Sequence, residues 1–276
     1  MRIVCLVENT EGASRCAAEH GLSVYIETAK HRLLSDTGSS ELLFDNAKRL
    51  GIDLKAVDSV VLSHGHYDHS GGILRLAEIA PAARIYMRSS AGAEQYHGER
   101  YIGIDKRILQ LAQLTLTEER CVIDDELELF SAITGTKLRP KGNAALTVRT
   151  AQGEFPDDFS HEQCLVISHQ DKKILLSGCA HNGILNVLDR YRQLYAGEPD
   201  AVISGFHMMS KTEHTADEIA AIEKTANLLS KMKTQFVTGH CTGLPAFEIM
   251  KRIMGEQLIP LHSGDEVFLD GLTARR

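Results

Sequence analysis

Apolar positions change their spacing along the chain, and those changes mark out its elements. Residues 3–7, 22–27 and 32–35 are short, apolar or β-branched, and separated by polar or turn-forming residues, which predicts three strands and a β-rich start. From Ser40 the period lengthens: Leu43, Ala47 and Leu50 fall at i, i+4 and i+7 and Gly51 supplies a stop, so a helix follows. Residues 58–63 read as a buried strand, Ile73, Leu76 and Ile79 as one face of a second helix, and residues 84–87 as the next strand. The stretch from Ser89 to about Leu116 is polar with weak helical periodicity and reads as an insertion near the functional site. Strands resume at residues 121–123, 127–130, 146–148, 164–168 and 173–176.

The last third alternates helix 184–195, strand 201–204, helix 216–232, strand 235–238 and helix 246–254. Thr215 and Glu218 have the spacing of a capping box, and Ile219, Ile222, Ala226 and Leu229 form one apolar face behind it. Two β-rich halves with helices outside them predict an α/β fold, a four-layer αββα sandwich in which two sheets pack face to face. No linker, repeat or low-complexity tract interrupts the 276 residues, so one domain over 1–276 is expected.

Composition narrows the function classes. The six cysteines, at 5, 16, 121, 164, 179 and 241, form no CxxC pair and suit reduced thiols better than a disulfide framework. Glu8 follows the first apolar residues too soon for a secretory leader, and no apolar run is long enough to span a bilayer; a cytoplasmic protein with no membrane partner is expected. A net charge of -7 and the absence of Trp argue against nucleic acid as a partner.

The chemistry concentrates just after residues 58–63. His64, His66, Asp68 and His69 crowd four potential ligands into six residues. Imidazoles and a carboxylate packed so tightly repel on protonation or lose hydration, whereas divalent cations satisfy all of them. His64 and His66 can reach one cation from the same side of an extended loop while Asp68 and His69 turn toward a second. Two later histidines, His181 and His240, also lie just beyond strands and behind glycines. Two divalent cations are therefore expected; zinc is the first choice, with iron and manganese open, since His and Asp ligands suit each. His31, His97, His161, His169, His214 and His262 have no such setting and read as surface or supporting residues. Cys179 and Cys241 flank the ligand histidines and as soft donors suit zinc, but small buried thiols are common in cores, and the core reading is preferred.

The run Ser63-His64-Gly65-His66-Tyr67-Asp68-His69-Ser70-Gly71-Gly72 resembles the signature of the metallo-β-lactamase-fold superfamily. Asp36, in Leu34-Ser35-Asp36-Thr37-Gly38, resembles that superfamily's first motif, which implies an acid supporting the site from behind its ligands. His181 and His240 resemble the third and fifth motifs. Within the superfamily the chain is most similar to the branch of 7,8-dihydropterin-6-methyl-4-(ribofuranosyl)aminobenzene 5'-phosphate synthases. That likeness runs over nearly the whole length through Glu19-His20-Gly21-Leu22-Ser23, Ser177-Gly178-Cys179-Ala180-His181-Asn182-Gly183, Gly205-Phe206-His207 and Gly239-His240-Cys241-Thr242-Gly243. One departure is plain: where the superfamily usually supplies a bridging Asp, or a Cys, this chain has Gly205-Phe206-His207.

The resemblance implies a small phosphorylated substrate. A divalent cation would turn water into a nucleophile at neutral pH and polarise an electrophilic oxygen, so no Ser or Cys nucleophile is needed. Asp68 is expected to orient that nucleophile or take its proton, and His207 to face substrate, with metal ligation the alternative for His207. Lys106, Arg107, Arg139 and Lys141 are candidate anion contacts, against the plain reading of solvated surface cations. His20, Glu162 and Gln163 are pocket candidates carried over from the family pattern. Three functions stay open: pterin-type phosphoribosyl transfer; hydrolysis of a small phosphoester, cyclic phosphodiester, ester or lactone; and a metal-dependent binding or redox-sensing module.

Overall fold

The computed structural model describes residues 1–268 and the backbone of the strand Thr273–Arg275. Two large sheets carry the chain. The first runs, in spatial order, Thr273–Arg275, Glu266–Phe268, Arg2–Val7, Ser23–Glu27, Arg32–Ser35, Ser59–Val61, Arg84–Arg88 and Leu114–Thr117. The second runs Leu258–Pro260, Gln235–Thr238, Ala201–Ser204, Lys172–Ser177, Cys164–His169, Leu127–Phe130 and Arg120–Val122.

Alternation along each strand builds three apolar layers, because successive side chains point to opposite faces. Ile3, Cys5, Val24, Ile26, Leu33 and Val61 meet Leu165, Ile167, Ile174, Leu176, Ile203 and Val237 in a core between the sheets. Their neighbours Val4, Leu6, Tyr25, Leu34 and Val60 turn outward against the helices Leu42–Arg49 and Ile73–Ile79. On the second sheet Val166, Leu175, Val202 and Phe236 turn outward against Ile184–Leu194, Ala216–Leu229 and Leu244–Met254. The result is the expected αββα sandwich. Truncating a fully buried side chain of either outer layer, such as Phe236, carries a cost of about 3–5 kcal/mol.

The Thr215 hydroxyl accepts the Glu218 N–H, and the Glu218 carboxylate accepts the Thr215 N–H, so the expected capping box is formed. The helix ends at Leu229 rather than 232, because the N–H of Met232 turns back to the Leu229 carbonyl. The residues read as an insertion form the Leu114–Thr117 edge strand and part of a small antiparallel sheet, ordered Gly153–Pro156, Leu146–Thr150, Glu94–His97 and Arg100–Tyr101. Among the described residues no helix is long and apolar enough to cross a membrane.

Parallel pairing positions the site. Arg32–Ser35 and Ser59–Val61 run side by side, as do Lys172–Ser177, Ala201–Ser204 and Gln235–Thr238. Parallel neighbours end at the same edge, so the segments that follow them bring Asp36, the cluster from His64, Cys179 with His181, His207 and His240 to one side of the sandwich.

Candidate metal centre

The histidine rings gather in two groups. Ring centroids of His64, His66 and His181 lie 4.6, 4.8 and 4.9 Å apart pairwise. Those of His69 and His240 lie 5.0 Å apart, with one Asp68 oxygen 3.9 Å from His69 Nε2 and 3.5 Å from His240 Nε2. His64 and His69 join the groups at 4.1 Å. All six side chains are buried.

Hydrogen bonds set the ring tautomers. His69 Nδ1–H donates to Asp36 Oδ2 at 2.8 Å, His181 Nδ1–H to Asn143 Oδ1 at 3.1 Å and His240 Nδ1–H to Asn9 Oδ1 at 2.8 Å. The Ser63 hydroxyl donates to Asp36 at 2.7 Å and therefore accepts from His64 Nδ1–H at 2.8 Å. With each Nδ1 carrying the proton, each Nε2 presents a lone pair. Nε2 of His64, His66, His181 and His240 is buried with no hydrogen-bond partner. A buried ring nitrogen left unmatched costs about 1–3 kcal/mol, and four converging in one place fit divalent cations, which neutral imidazoles bind.

Electrostatics keep the set ready for that. Burial, with the charges of the neighbouring histidines, holds His64 and His181 well below their usual range; burial, with His161 next, lowers His66 to about 3. Burial would raise the Asp68 carboxyl, but the surrounding imidazoles, His69 first and then His20 and His240, outweigh it and hold Asp68 well below the carboxylate range. Asp36, fully buried at φ 60°, accepts from Ser63 N–H at 2.7 Å as well as from Ser63 Oγ and His69. Gly178 is obligatory behind this network: a Cβ there would come to 2.1 Å from Ser63 Oγ.

A cavity of about 610 Å³ opens beside the cluster, lined by His66, Asp68, His181 and His240. His20 lies at its edge, half exposed, with Nε2 3.2 Å from Asp68 Oδ2. His207 also lines it; its ring centroid is 4.0 Å from that of His181, and its Nδ1 is buried without a partner. Arg139 and Lys141 line the cavity too. Lys106 and Arg107 do not: Lys106 is tied to Gly92, Ala93 and Glu94, and Arg107 to Asp105. Glu162 is buried behind the site, accepting the N–H groups of His181 and Asn182, and Gln163 spans the strands through Leu62, Tyr86 and Thr117.

His161 is buried against His66, but both its nitrogens are engaged, Nδ1 by Gly65 N–H and Nε2 by Asp157, so it supports the loop rather than offering a lone pair. Sequence reasoning passed over Glu8, Asn9 and Asn143, which hold His240 and His181. It also passed over Arg100, Lys211 and His214 in the cavity wall. Glu8 alone had a visible signal, an acid directly after an apolar strand. The others come from loops whose spacing carries no period.

This fold and this cluster define a class. The metallo-beta-lactamase superfamily model matches residues 17–205, and the chain belongs to that superfamily. Over 97% of its length it superposes on 98% of Tm1679, described as a metal-dependent hydrolase of the beta-lactamase superfamily, with a TM-score of 0.81 and 31% identity. Among curated proteins it is 28% identical to the uncharacterized protein MJ0448 of Methanocaldococcus jannaschii, over 91% of this chain and 94% of that one. It is 26% identical to the 7,8-dihydropterin-6-methyl-4-(beta-D-ribofuranosyl)-aminobenzene-5'-phosphate synthase of the same organism, over 96% and 95%.

Proposed function

We propose that the chain is a metal-dependent enzyme that holds two divalent cations, first of all zinc, and acts on a small phosphorylated molecule. His64, His66 and His181 hold one cation; Asp68, His69 and His240 hold the other. The carrying observation is the convergence of four unpartnered, buried Nε2 atoms beside a cavity whose wall also bears Arg100, Arg139, Lys141 and Lys211. Iron or manganese would suit the same His and Asp donors. The six free thiols suit a reducing compartment, the cytoplasm.

When bound, such cations supply a Lewis acid and bring the pKa of water toward neutrality. The protein's own groups do the rest. Asp68, kept ionised, orients the attacking group or accepts its proton, and His20 fixes the Asp68 carboxylate. His207 donates a proton or hydrogen bond from the cavity wall to the leaving oxygen. The cations of the wall engage the phosphate, and Tyr67, Ile102 and Leu146 offer an apolar side for a flat ring.

The relative named as a 7,8-dihydropterin-6-methyl-4-(beta-D-ribofuranosyl)-aminobenzene-5'-phosphate synthase favours transfer, a reaction whose product carries both a pterin and a ribofuranosyl phosphate. The second reading, hydrolysis, is favoured by the 31% identical relative described as a hydrolase. Mass spectrometry of products from zinc-loaded protein separates them: a coupled pterin supports transfer, and cleaved phosphoester or lactone alone supports hydrolysis. Turnover of neither substrate set at full metal loading overturns the enzyme reading.

A further inference from the structure

Six ligand atoms around two cation positions leave open what lies between them, and the structure places a sulfur there. Cys179 is buried, with Sγ 3.2 Å from His69 Nε2. It groups with His64 and His181, all ligand atoms within 4.8 Å of one another, and equally with His69 and His240. Among the described residues it is the one His, Cys, Asp or Glu side chain that falls in such a group with members of both sets.

The surroundings explain why a thiol occupies this place. At Gly205, just past the strand Ala201–Ser204, a Cβ would come to 2.4 Å from Cys241 Sγ and 3.2 Å from the Gly178 carbonyl. A carboxylate side chain has no room there, because the Cys241 sulfur fills the volume. Cys241 accepts the His207 N–H at 3.2 Å, and its thiol points to the Cys179 carbonyl at 3.7 Å. It groups only with Cys179 and His207, not with either histidine set, so it backs Cys179 rather than replacing it.

We infer that Cys179 is the ligand shared by the two cations. The inference rests on the two-cation reading above and deepens it. A thiolate has lone pairs enough for two soft or borderline cations, and zinc accepts mixed sulfur and imidazole donors. On loading, the S–H bond breaks, its proton passes to solvent, and one zinc–sulfur bond forms to each cation.

Zinc X-ray absorption on the zinc-reconstituted full chain, with metal counted on the same sample, tests this. Two zincs per chain with a sulfur shell at about 2.3 Å, averaging about one sulfur per zinc, is the expected result. Cys179→Ser should lose that shell and about one zinc, while Cys241→Ser keeps both. Two zincs with only nitrogen and oxygen neighbours overturn the shared thiolate and leave the two-cation reading standing. About half a sulfur per zinc makes Cys179 a ligand to one cation and overturns sharing. Loss of the sulfur shell in Cys241→Ser overturns the choice of cysteine. Failure of the wild type to take up zinc overturns both readings.

Discussion

Replacing Asp36 with Asn changes little in shape and much in what the side chain accepts. Asn tolerates the positive φ of 60° at this position, so the backbone is not the issue. The carboxylate accepts three hydrogens: Ser63 N–H on Oδ1, and Ser63 O–H and His69 Nδ1–H on Oδ2. With its oxygen toward Ser63 N–H, an amide points its NH2 at Ser63 Oγ and His69 Nδ1. Flipped, it opposes the Ser63 N–H. In the first orientation, relief comes when the His69 proton moves to Nε2, which removes the lone pair turned toward Asp68 and Cys179. The lost bond is buried and charge-assisted, worth about 1.5–3 kcal/mol, or about 10- to 150-fold in affinity. Asp36→Asn should therefore weaken at least one of the two zinc affinities by that factor, directly through His69 and, by way of the Ser63 hydroxyl, through His64. Competition titration against a chromophoric chelator reads both. Two affinities within about twofold of wild type would refute the reasoning, since changing a hydrogen-bonding partner of a ligand typically costs about 10- to 100-fold.

His207→Ala should depress kcat by about 10²–10⁴ if the imidazole acts as a general acid, with both metals retained; a metal content lower by about one would make His207 a ligand instead. Lys211→Ala should raise KM for a phosphorylated substrate about tenfold, from one lost charge-assisted contact, and leave KM for an uncharged analogue unchanged; equal KM values for the phosphorylated substrate would remove Lys211 from the site. In metal-free protein, His66 titrates near 3 when folded against 6.5 when free. Between those values the unfolded chain binds a proton that the folded one does not. Stability is thus complete above pH 6.5 and falls as pH drops toward 3, by up to about 1.4 kcal/mol per unit for each such histidine. Urea melts after chelation at pH 7 and pH 5 should show a lower midpoint at pH 5, and equal midpoints would contradict the assignment.

The sandwich was legible because its strands are short, continuous apolar runs: Ile3 and Val4, or Leu175 and Leu176, go to opposite layers, and both layers are apolar. The strands Leu258–Pro260 and Glu266–Phe268 were not: each is three residues long with only one of them buried, too little to mark a strand. The small sheet was legible in part, since Leu146–Thr150 reads as a strand over 146–148. Gly153–Pro156 is exposed at every position, so no apolar pattern marks it. The candidate ligand histidines stood out because they crowd within a few residues or closely follow strands. The partners that fix their tautomers, Asn9 and Asn143, are ordinary loop residues until the fold brings them across 231 and 38 positions. Cys179 was assigned to the core from its chemistry alone. Its burial fits that reading, but its place between the two histidine sets is a fact of three dimensions.

Metal content per chain after reconstitution and desalting, measured on wild type beside His66→Ala, tests the two-cation centre most directly, with exposed His97→Ala as the control. The account predicts about two cations in wild type and in His97→Ala, and about one in His66→Ala. Full metal content in His66→Ala would contradict it.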